Sequence, residues 1–600
     1  MITDAPMNLA KQPRQTPLWP VMLFIVVGLA YALTQAGPVL SGDLRGSDDM
    51  MRMQQVRDLI AGQSWYDVDQ ARLLTPEGGA MHWSRLPDIF LAGIVLLTQP
   101  LIGREMAEGL AMTVWPLMQL AWVLTALAAC LRRLNSPLSG QLAGIFFFCT
   151  SAAMVNFLPG RIDHHGLGIA LTLTALACLL SPRLTARSAA IAALCVAALI
   201  TVAIENLPAA GLIIFCFGFA WLIRGEAETN RLRFFGGGLI VTALIAYVFD
   251  APGAGGHRAV CDAYGQSHFV ALLVAGAGLS AIATVMPHTH DWRTRLIAMG
   301  LAGGMTLVSF VMVNPDCIGS PYAALPEDVR SGWLSVVSEA RPFTTVIAKD
   351  TALALFFYGF ALAGLVCAII GLARSDNPKR LSHGALLLLL AVAFILTSWQ
   401  LRAAALAHAL SAIACGWVFG WLFSRWHTQR GIPAVLVLTA GALAISPLGW
   451  TMASRFVPEK TSTAGTNPSA CKARSGYNAI VAAPRMIVFT PIDLGAPLLY
   501  YTRNYATAAP YHRNPSAIEM TLAVFRGPTS AARERISITG ATHLLFCPGL
   551  RELETYAKDA PDGFAADLVA GRIPNWLVPL TRSPEGEEGP IIYTIASDRN

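Results

Sequence analysis

Long apolar segments alternate with short polar ones through the first three quarters of the chain. A membrane-spanning helix needs about 17 to 25 mostly apolar residues, and the pattern predicts about thirteen such helices. We place them at 17–40, 109–131, 137–157, 167–181, 187–207, 208–224, 233–250, 269–287, 296–313, 351–374, 381–400, 403–424 and 431–448. The sequence therefore predicts a polytopic α-helical membrane protein.

The basic residues between these segments predict the orientation of the chain. Arginine and lysine stay on the cytoplasmic side of a bacterial inner membrane, and with thirteen spans every basic cluster falls on that side. Residues 41–108 then form a long first external loop in the periplasm. Within this loop the apolar run 89–102 is too short to span and directly follows Asp88, so we expect an interfacial or re-entrant helix.

The residues after the last predicted span have a different pattern. Residues 449–600 are less hydrophobic, and their short apolar runs, such as 486–489 and 543–546, are typical of buried strands. The sequence thus predicts a transmembrane domain at 1–448 and a periplasmic α/β domain at 449–600.

Composition supports the membrane assignment and argues against some partners. The chain is 54% hydrophobic and 13% charged, with a mean hydropathy of +0.52, which is too apolar for a water-soluble protein of this length. The net charge of +6 is spread over short loops, whereas a nucleic-acid binder gathers its basic residues on one face. We therefore expect membrane lipid as the surroundings and no nucleic acid as a partner.

The cysteines give a second indication of sidedness. Seven of the eleven lie within or at the ends of predicted spans, and four lie in segments assigned to the outside. Cys261 and Cys317 flank one helix pair, and Cys471 and Cys547 lie in the C-terminal domain. An oxidising periplasm favours a disulfide within each pair, with free thiols as the alternative.

Ionisable residues gather in three of the predicted external loops. Asp48 and Asp49 follow the first span, Asp163 precedes two histidines, and Glu339 lies in the fifth external loop. Together with His165, these carboxylates make an oxygen-rich set that suits Mg²⁺ or Mn²⁺. Such an ion can bind a lipid-linked phosphate and stabilise it as a leaving group, while a carboxylate orients or deprotonates an acceptor. Taken alone, an Asp-Asp pair is more often a helix cap or a solvated turn.

The order of these motifs resembles the catalytic subunit of oligosaccharyltransferase in its bacterial and archaeal single-subunit form, a GT-C glycosyltransferase. Asp48 resembles the metal-binding aspartate after the first helix, and 76–88, with Trp83 and Asp88, resembles a conserved run of the first loop. Asp163-His164-His165 is similar to the second acidic motif, in which the first and third residues serve the metal. The resemblance implies the GT-C fold.

Two further positions take their roles from the same resemblance. Val337-Ser338-Glu339 resembles a fifth-loop element whose glutamate approaches the metal and the acceptor. Arg402, between the eleventh and twelfth spans, resembles an arginine that holds the donor phosphate, with an interfacial arginine as the alternative. The resemblance implies sugar transfer from a polyprenyl-phosphate or pyrophosphate donor to a periplasmic glycan, lipid or protein. Asp48 or Asp49 and Glu339 would be catalytic, and Asp48, Asp163, His165 and Glu339 would bind the metal.

The chain also departs from that family. The Trp-Trp-Asp element that recognises the peptide sequon is missing, so peptide N-glycosylation is not expected. Tyr511, His512 and Arg513 either face an acceptor or form a structural loop. Glu205, near the outer end of the fifth span, is a further intramembrane carboxylate and a secondary site candidate, as is His164.

Three other functions stay open at this point. A metal-independent transferase acting on a polyprenyl-monophosphate sugar would use Asp48 alone as the base. A lipid or solute transporter is a different class, but its ionisable residues would lie near the middle of the bilayer rather than at one face. A non-catalytic assembly subunit is the third.

Overall fold

The computed structural model describes residues 19–44, 46–250, 260–319, 322, 325–426, 432–458, 470–481, 483–580 and 589–596. It contains a helical bundle followed by a smaller domain with one mixed sheet. The bundle helices are α1 Trp19–Leu40, α2 Ser47–Ile60, α3 Leu86–Ile102, α4 Arg104–Arg133, α5 Leu138–Cys149, α6 His165–Leu179, α7 Ala186–Val202, α8 Leu207–Arg224, α9 Glu226–Phe249, α10 Gln266–Val285, α11 Trp292–Val313, α12 Glu327–Gly332, α13 Phe343–Lys349, α14 Thr351–Ala354, α15 Phe360–Arg374, α16 Asn377–Trp399, α17 Ala404–Trp426, α18 Ile432–Ala444 and α19 Pro447–Arg455.

Each of the thirteen predicted spans coincides with a helix or a helix and a turn of this bundle. Among the described residues, eight helices are long and apolar enough to cross a membrane, or nine if the bent pair of α18 and α19 counts as one span. Four apolar helices, α3, α5, α6 and α7, are shorter. The protein is therefore a multi-pass membrane protein.

The apolar run of the first loop forms a complete helix. The sequence predicted an interfacial piece at 89–102, and α3 begins three residues earlier, at Leu86. It packs along α4, and its outward face is apolar, with Leu97 78% and Leu101 84% exposed. That face suits contact with lipid, and the interfacial position stays a prediction.

Small residues bring two bundle helices into close contact. A Cβ atom on Gly416 of α17 would lie 2.6 Å from the Cα atom of Gly144 of α5, and one on Gly420 would lie 2.8 Å from that of Gly140. Glycines spaced four apart on both helices let their backbones approach, which is a common way to join helices in lipid. This crossing fixes α17, whose first residues follow Arg402, against the centre of the bundle.

The C-terminal domain is a five-stranded mixed sheet with helices around it. Its strands are β1 Ile487–Phe489, β2 Tyr505–Ala506, β3 His543–Phe546, β4 Leu577–Pro579 and β5 Ile591–Ile595, in the order β2-β1-β3-β5-β4. The helices are α20 Asn478–Val481, α21 Gly495–Tyr501, α22 Pro515–Arg526, α23 Thr529–Ile538, α24 Arg551–Asp559 and α25 Phe564–Val569. Strands β2, β1 and β3 are parallel, and β5 and β4 add antiparallel pairs, so the predicted α/β domain is present.

The first external loop packs against this domain. Arg72 donates to the backbone carbonyls of Thr502 at 2.8 Å and Leu499 at 2.7 Å, and Leu73 forms a β-bridge with Ala506. Val68, Leu73, Met81 and Trp83 are buried in the same apolar core as the sheet. The loop therefore connects the bundle to the domain.

Both predicted cysteine pairs form disulfides. Cys261 is bonded to Cys317, and Cys471 is bonded to Cys547, with Cα atoms 5.0 and 5.9 Å apart. The first bond joins the segment before α10 to the turn after α11, and the second lies within the C-terminal domain.

Candidate active site

Asp49 joins the segment 41–108 to the short loop that precedes α6. It lies in the first turn of α2 and is fully buried. Its Oδ2 atom accepts a hydrogen bond from Arg161 Nη1 at 2.8 Å, and its Oδ1 atom accepts the backbone N–H groups of Ile162 at 2.7 Å and Asp163 at 3.1 Å. Both oxygens of Asp49 are thus bonded within the protein.

Asp163 is held by the same arginine. Arg161 Nη2 lies 2.7 Å from Asp163 Oδ2, and Asp163 Oδ1 accepts the backbone N–H of His165 at 3.1 Å, at the start of α6. Burial opposes its ionisation, but Arg161, His165 and His164 outweigh burial and lower the pKa of Asp163 to about 2. Asp163 is therefore an anion at neutral pH.

Asp48 is bonded differently from its neighbour. It is half-buried, and within the described part of the chain it forms no hydrogen bond or ion pair. Burial, together with the negative charges of Glu339 and Asp163, raises the pKa of Asp48 to about 6, although His164 and His165 oppose the shift. The structure thus brings these three carboxylates within electrostatic range of one another.

Glu339 and Arg402 lie on two connected turns. Glu339 is exposed in the turn Ser338–Ala340, and Arg402 lies in the turn Leu401–Ala403. The backbone N–H of Leu401 donates to the carbonyl of Arg341 at 3.2 Å, which holds the two turns together. The charge of Glu339 therefore acts on Arg402 and on His165.

Glu205, which the sequence offered as a secondary candidate, contacts several other predicted site residues. The chain breaks between α7 and α8 because Pro208 starts a new helix, and the side chain of Asn206 donates to the carbonyls of Leu199 and Ala203, both at 3.2 Å. Glu205 lies in this break. Its Oε1 atom is 3.2 Å from His164 Nε2 and 2.9 Å from His165 Nδ1.

Glu205 also contacts the predicted phosphate-binding arginine. Its Oε2 atom lies 3.4 Å from Arg402 Nη1, and Arg402 Nη2 lies 3.4 Å from the hydroxyl of Tyr322. One carboxylate therefore lies between two imidazoles and one guanidinium. His164, His165 and Glu205 have their ligand atoms within 4.8 Å of one another, close enough to hold a metal ion.

A cavity of about 330 Å³ opens beside this group. Its wall includes Trp83, His164, His165, Glu205, Asp262, Tyr322, Arg402 and His512. Asp48, Asp163 and Glu339 are not among the described residues of the wall. Their charges nevertheless act on His165, which is part of the wall. A second cavity of about 590 Å³, almost entirely apolar, lies between α8, α10 and α11 and shares Leu207, His268 and Phe310 with the first.

Trp83 of the first loop lies in the cavity wall, and Asp88 of the same loop lies outside it. Asp88 is buried in ion pairs with Arg52 at 3.0 Å and Arg85 at 3.3 Å, and it does not line the cavity. The guanidinium of Arg52 lies 4.7 Å from the centre of the Trp83 ring, which does line it. Asp88 therefore holds Arg52, and Arg52 supports Trp83 in the wall.

Tyr511, His512 and Arg513 connect the C-terminal domain to two loops. Arg513 binds Asp262 through Nε at 2.7 Å and Nη2 at 2.9 Å, and His512 Nε2 lies 2.9 Å from the same carboxylate. Tyr511 packs edge-on against Trp83 at 5.3 Å. These contacts support the structural alternative for Tyr511 and Arg513, while His512 also lines the cavity.

Sequence reasoning missed three residues of this region. Arg161, Asp262 and Tyr322 had no predicted role, although each contacts a predicted residue. Arg161 had a signal, because it lies two residues before Asp163 in a very short external loop. Asp262 follows Cys261 but carries no other signal, and neither does Tyr322.

Comparison with known proteins identifies the fold. No protein-family model matches the chain, and a search of curated proteins finds no match. The crystal structure of the Archaeoglobus fulgidus oligosaccharyltransferase in the apo form matches 97% of this chain and 75% of its own, with a TM-score of 0.65 and 14% identity. The chain adopts the GT-C fold of an oligosaccharyltransferase.

Two further structures of the Archaeoglobus fulgidus enzyme agree. The oligosaccharyltransferase AglB in complex with an inhibitory peptide and a dolichol-phosphate has a TM-score of 0.64 and 16% identity, over 97% of this chain and 75% of that one. The complex with zinc and sulfate has a TM-score of 0.58 and 15% identity, over 96% and 73%. The predicted GT-C fold is confirmed, and at these identities the likeness is one of fold.

Proposed function

We propose that this protein is a glycosyltransferase of the bacterial inner membrane. It transfers a sugar or an oligosaccharide from a polyprenyl-phosphate or pyrophosphate donor to a periplasmic glycan, lipid or protein. The observation that carries this proposal is the convergence of Asp48, Asp163, His165 and Glu339, next to a cavity that contains Arg402, on a GT-C fold. Ionisable groups at one end of a membrane bundle are costly unless they serve a site.

The cavities suit a donor with a charged head and an apolar tail. Arg402 has a permanently charged fork that binds phosphate oxygens well, and its present contacts to Glu205 and Tyr322 are both 3.4 Å long. The adjoining apolar cavity of about 590 Å³ offers room for the first prenyl units. An archaeal structure with this fold holds a dolichol-phosphate, which supports a donor of the same chemical class here.

The chemistry of Asp48, Asp163, His165 and Glu339 suits a divalent cation such as Mg²⁺ or Mn²⁺, although among the described residues their ligand atoms do not all lie within 4.8 Å of one another. The Asp48 carboxylate has no partner among the described residues, and burial together with the negative charges of Glu339 and Asp163 raises its pKa, which a bound cation would offset. Asp163, His165 and Glu339 would complete the ligand set, because a carboxylate bonded to Arg161 still has free lone pairs. When bound, the ion would stabilise the phosphate leaving group. A structure of the archaeal enzyme contains zinc, which supports a divalent ion.

A second ligand set shares one residue with the first. His164, His165 and Glu205 already lie within 4.8 Å of one another. This set has two imidazoles and one carboxylate, so it suits a softer ion such as Zn²⁺ better than Mg²⁺. We favour the set around Asp48 for catalysis, because it has more carboxylate oxygens and includes a carboxylate that has no partner in the described part of the chain.

The protein groups have separate tasks in the transfer. Arg402 binds the donor phosphate and orients the bond to the anomeric carbon. Asp48, whose pKa is raised to about 6, can accept a proton from an acceptor hydroxyl or amide near neutral pH. Glu339 lies at the exposed edge, where an acceptor arrives. Asp49 and Arg161 position the second loop and take no part in the chemistry.

Deletion of the gene tests the proposal. The expected result is loss of one periplasmic glycoconjugate, measured by mass spectrometry of glycans, glycolipids and glycoproteins. The wild-type gene should restore it, while Asp48→Asn, Asp163→Asn and Glu339→Gln should not. Glu327→Gln is the matched control, since Glu327 is an exposed carboxylate of the same external segment and pairs with Arg330 alone among the described residues. Full restoration by all three site variants would contradict the proposal.

A further inference from the structure

A third cavity lies at the end of the bundle opposite to the candidate active site. Helix α8 begins beside Glu205 and ends at Arg224 after 18 residues, which is about 27 Å at 1.5 Å per residue. At this far end, a cavity of about 530 Å³ opens between α6, α8, α9 and α16. No residue of its wall belongs to the active site proposed above.

The wall of this cavity has an excess of positive charge. It contains Arg224, Arg231 and Arg380 but one carboxylate, Glu228. Glu228 is buried and accepts from Arg224 at 3.0 Å and from Arg231 at 3.1 Å, so its charge is already shared between two guanidinium groups. The cavity therefore carries two positive charges that no acidic side chain of its wall balances.

One of these arginines has donors left for a ligand. The side chain of Arg380 is exposed, and it forms no hydrogen bond or ion pair within the part of the chain that the structure describes. Arg231 is 2% exposed, and it binds Glu228 through Nη1 and the carbonyls of Cys178 and Leu179 through Nη2. Arg231 therefore adds positive charge to the wall, while Arg380 offers the donors.

Apart from Asn377 and Ser382, the rest of the wall is apolar. Phe215, Phe219 and Ile223 of α8 are 52%, 37% and 58% exposed and line the cavity from its basic end into the bundle. Phe215 lies nine residues from Arg224, about 13 Å along the helix. Gly384 of α16 leaves a gap in the opposite wall, since a Cβ atom there would meet nothing within 4 Å. The shape combines an anion-binding end with an apolar groove.

We propose that this cavity binds one anionic phospholipid, with its phosphate at Arg380 beside the buried positive charge of Arg231 and an acyl chain along Phe215 and Phe219. Charge complementarity selects this occupant, because a basic pocket between membrane helices attracts anionic headgroups. A zwitterionic phospholipid fits the groove equally well but leaves the excess positive charge uncompensated. The lipid would hold α8 against α16 and so support the break at Glu205 from the other end of α8.

Native mass spectrometry of the full-length protein in a neutral detergent tests this site. The protein is titrated with phosphatidylglycerol or with phosphatidylcholine of the same acyl chains. We expect one phosphatidylglycerol to bind at least about fivefold more tightly than phosphatidylcholine, because one basic residue contributes about that factor. Arg380→Gln should weaken phosphatidylglycerol binding about fivefold, and Gly384→Leu, which fills the groove without changing any charge, should abolish the tight binding.

Arg425→Gln is the matched control. Arg425 is an exposed arginine at the end of α17, outside the cavity, so its loss should change binding less than twofold. Equal binding of the two lipids would overturn the proposal. So would an equal effect of Arg425→Gln and Arg380→Gln, or unchanged binding by Gly384→Leu. None of these readouts depends on the glycosyltransferase proposal.

Discussion

The guanidinium of Arg161 lies 2.8 Å from the buried carboxylate of Asp49, although the two residues are 112 positions apart in the sequence. Through its other nitrogen the same guanidinium holds Asp163 at 2.7 Å. Two acidic residues from different loops are thus fixed by one cation, and Asp48 is left as the carboxylate of this group without a partner among the described residues.

Replacing Arg161 should destabilise the fold. Arg161→Gln leaves Asp49 and Asp163 as neighbouring buried carboxyl groups without their shared cation, and breaking a buried pair costs about 3 kcal/mol or more. The expected result is a lower free energy of unfolding, measured by denaturation in detergent. Arg104→Gln is the control, since Arg104 is 52% exposed in its pair with Glu108 and a surface pair contributes less than about 1 kcal/mol. Equal stability of both variants would show that Arg161 does not hold the loops.

Asp48 and Asp49 should respond differently to the same substitution. Asp48→Asn should reduce transfer about 100-fold or more, as expected for loss of a general base or a metal ligand, with little change in unfolding temperature. Asp49→Asn should lower the unfolding temperature, because it weakens the bond to Arg161 and the bonds to two backbone N–H groups. Measuring activity and unfolding of both variants side by side checks this. Reversed phenotypes would mean that Asp49 is the functional residue.

Metal affinity should depend on pH. The pKa of Asp48 is raised to about 6 in the folded protein, and a proton on this carboxyl competes with the cation. Affinity for Mn²⁺, followed by electron paramagnetic resonance, should fall more steeply below pH 6 than above it, by about a further tenfold for each unit. Burial opposes the protonation of His165, but Glu205 and Asp163 raise its pKa to about 10, so His165 adds its own proton competition on both sides of pH 6. Asp48→Asn should remove the extra steepness below pH 6. An affinity that increases as the pH falls would contradict the assignment of Asp48 as a ligand.

The ion pair of Asp262 and Arg513 should stabilise the docking of the C-terminal domain. Burial opposes the ionisation of Asp262, but Arg513 and His512 hold its pKa well below the usual range. The pair therefore contributes fully above pH about 4, the ordinary pKa of an aspartate, and its contribution is lost as the pH falls further. Asp262→Asn should cost about 1 to 3 kcal/mol at pH 7 and progressively less below pH 4. Thermal unfolding of the wild type and of Asp262→Asn, at pH 7 and below pH 4, measures this difference. A destabilisation by Asp262→Asn that increases as the pH falls would contradict this prediction.

Much of the fold was predictable because it depends on local composition. The length of each apolar segment predicts a helix, and all thirteen segments are helical. Helix ends were less predictable. The span predicted at 137–157 ends early, at Cys149, because Ser151 accepts the N–H of Ala153 and starts a tighter turn.

Short motifs predicted that Asp48, Asp163, His165 and Glu339 lie near one another, and in the structure their charges act on one another. Their roles in a site stay predictions. The ion pairs Arg161–Asp49 and Arg513–Asp262 were not predicted, because the partners are 112 and 251 residues apart and no local pattern relates them. The break beside Glu205 was predicted by the separate spans 187–207 and 208–224, but its contacts with His164, His165 and Arg402 had no local signal.

The most direct measurement is turnover by the purified protein. It is incubated with lipid-linked sugars and membrane acceptors extracted from the source organism, and release of free polyprenyl phosphate or pyrophosphate is followed by mass spectrometry. The account predicts release that requires Mg²⁺ or Mn²⁺, stops on chelation with EDTA and is lost in Asp48→Asn. Release that continues in the presence of EDTA but is lost in Asp48→Asn would indicate a metal-independent transferase. The absence of release, or full release by Asp48→Asn, would contradict the account.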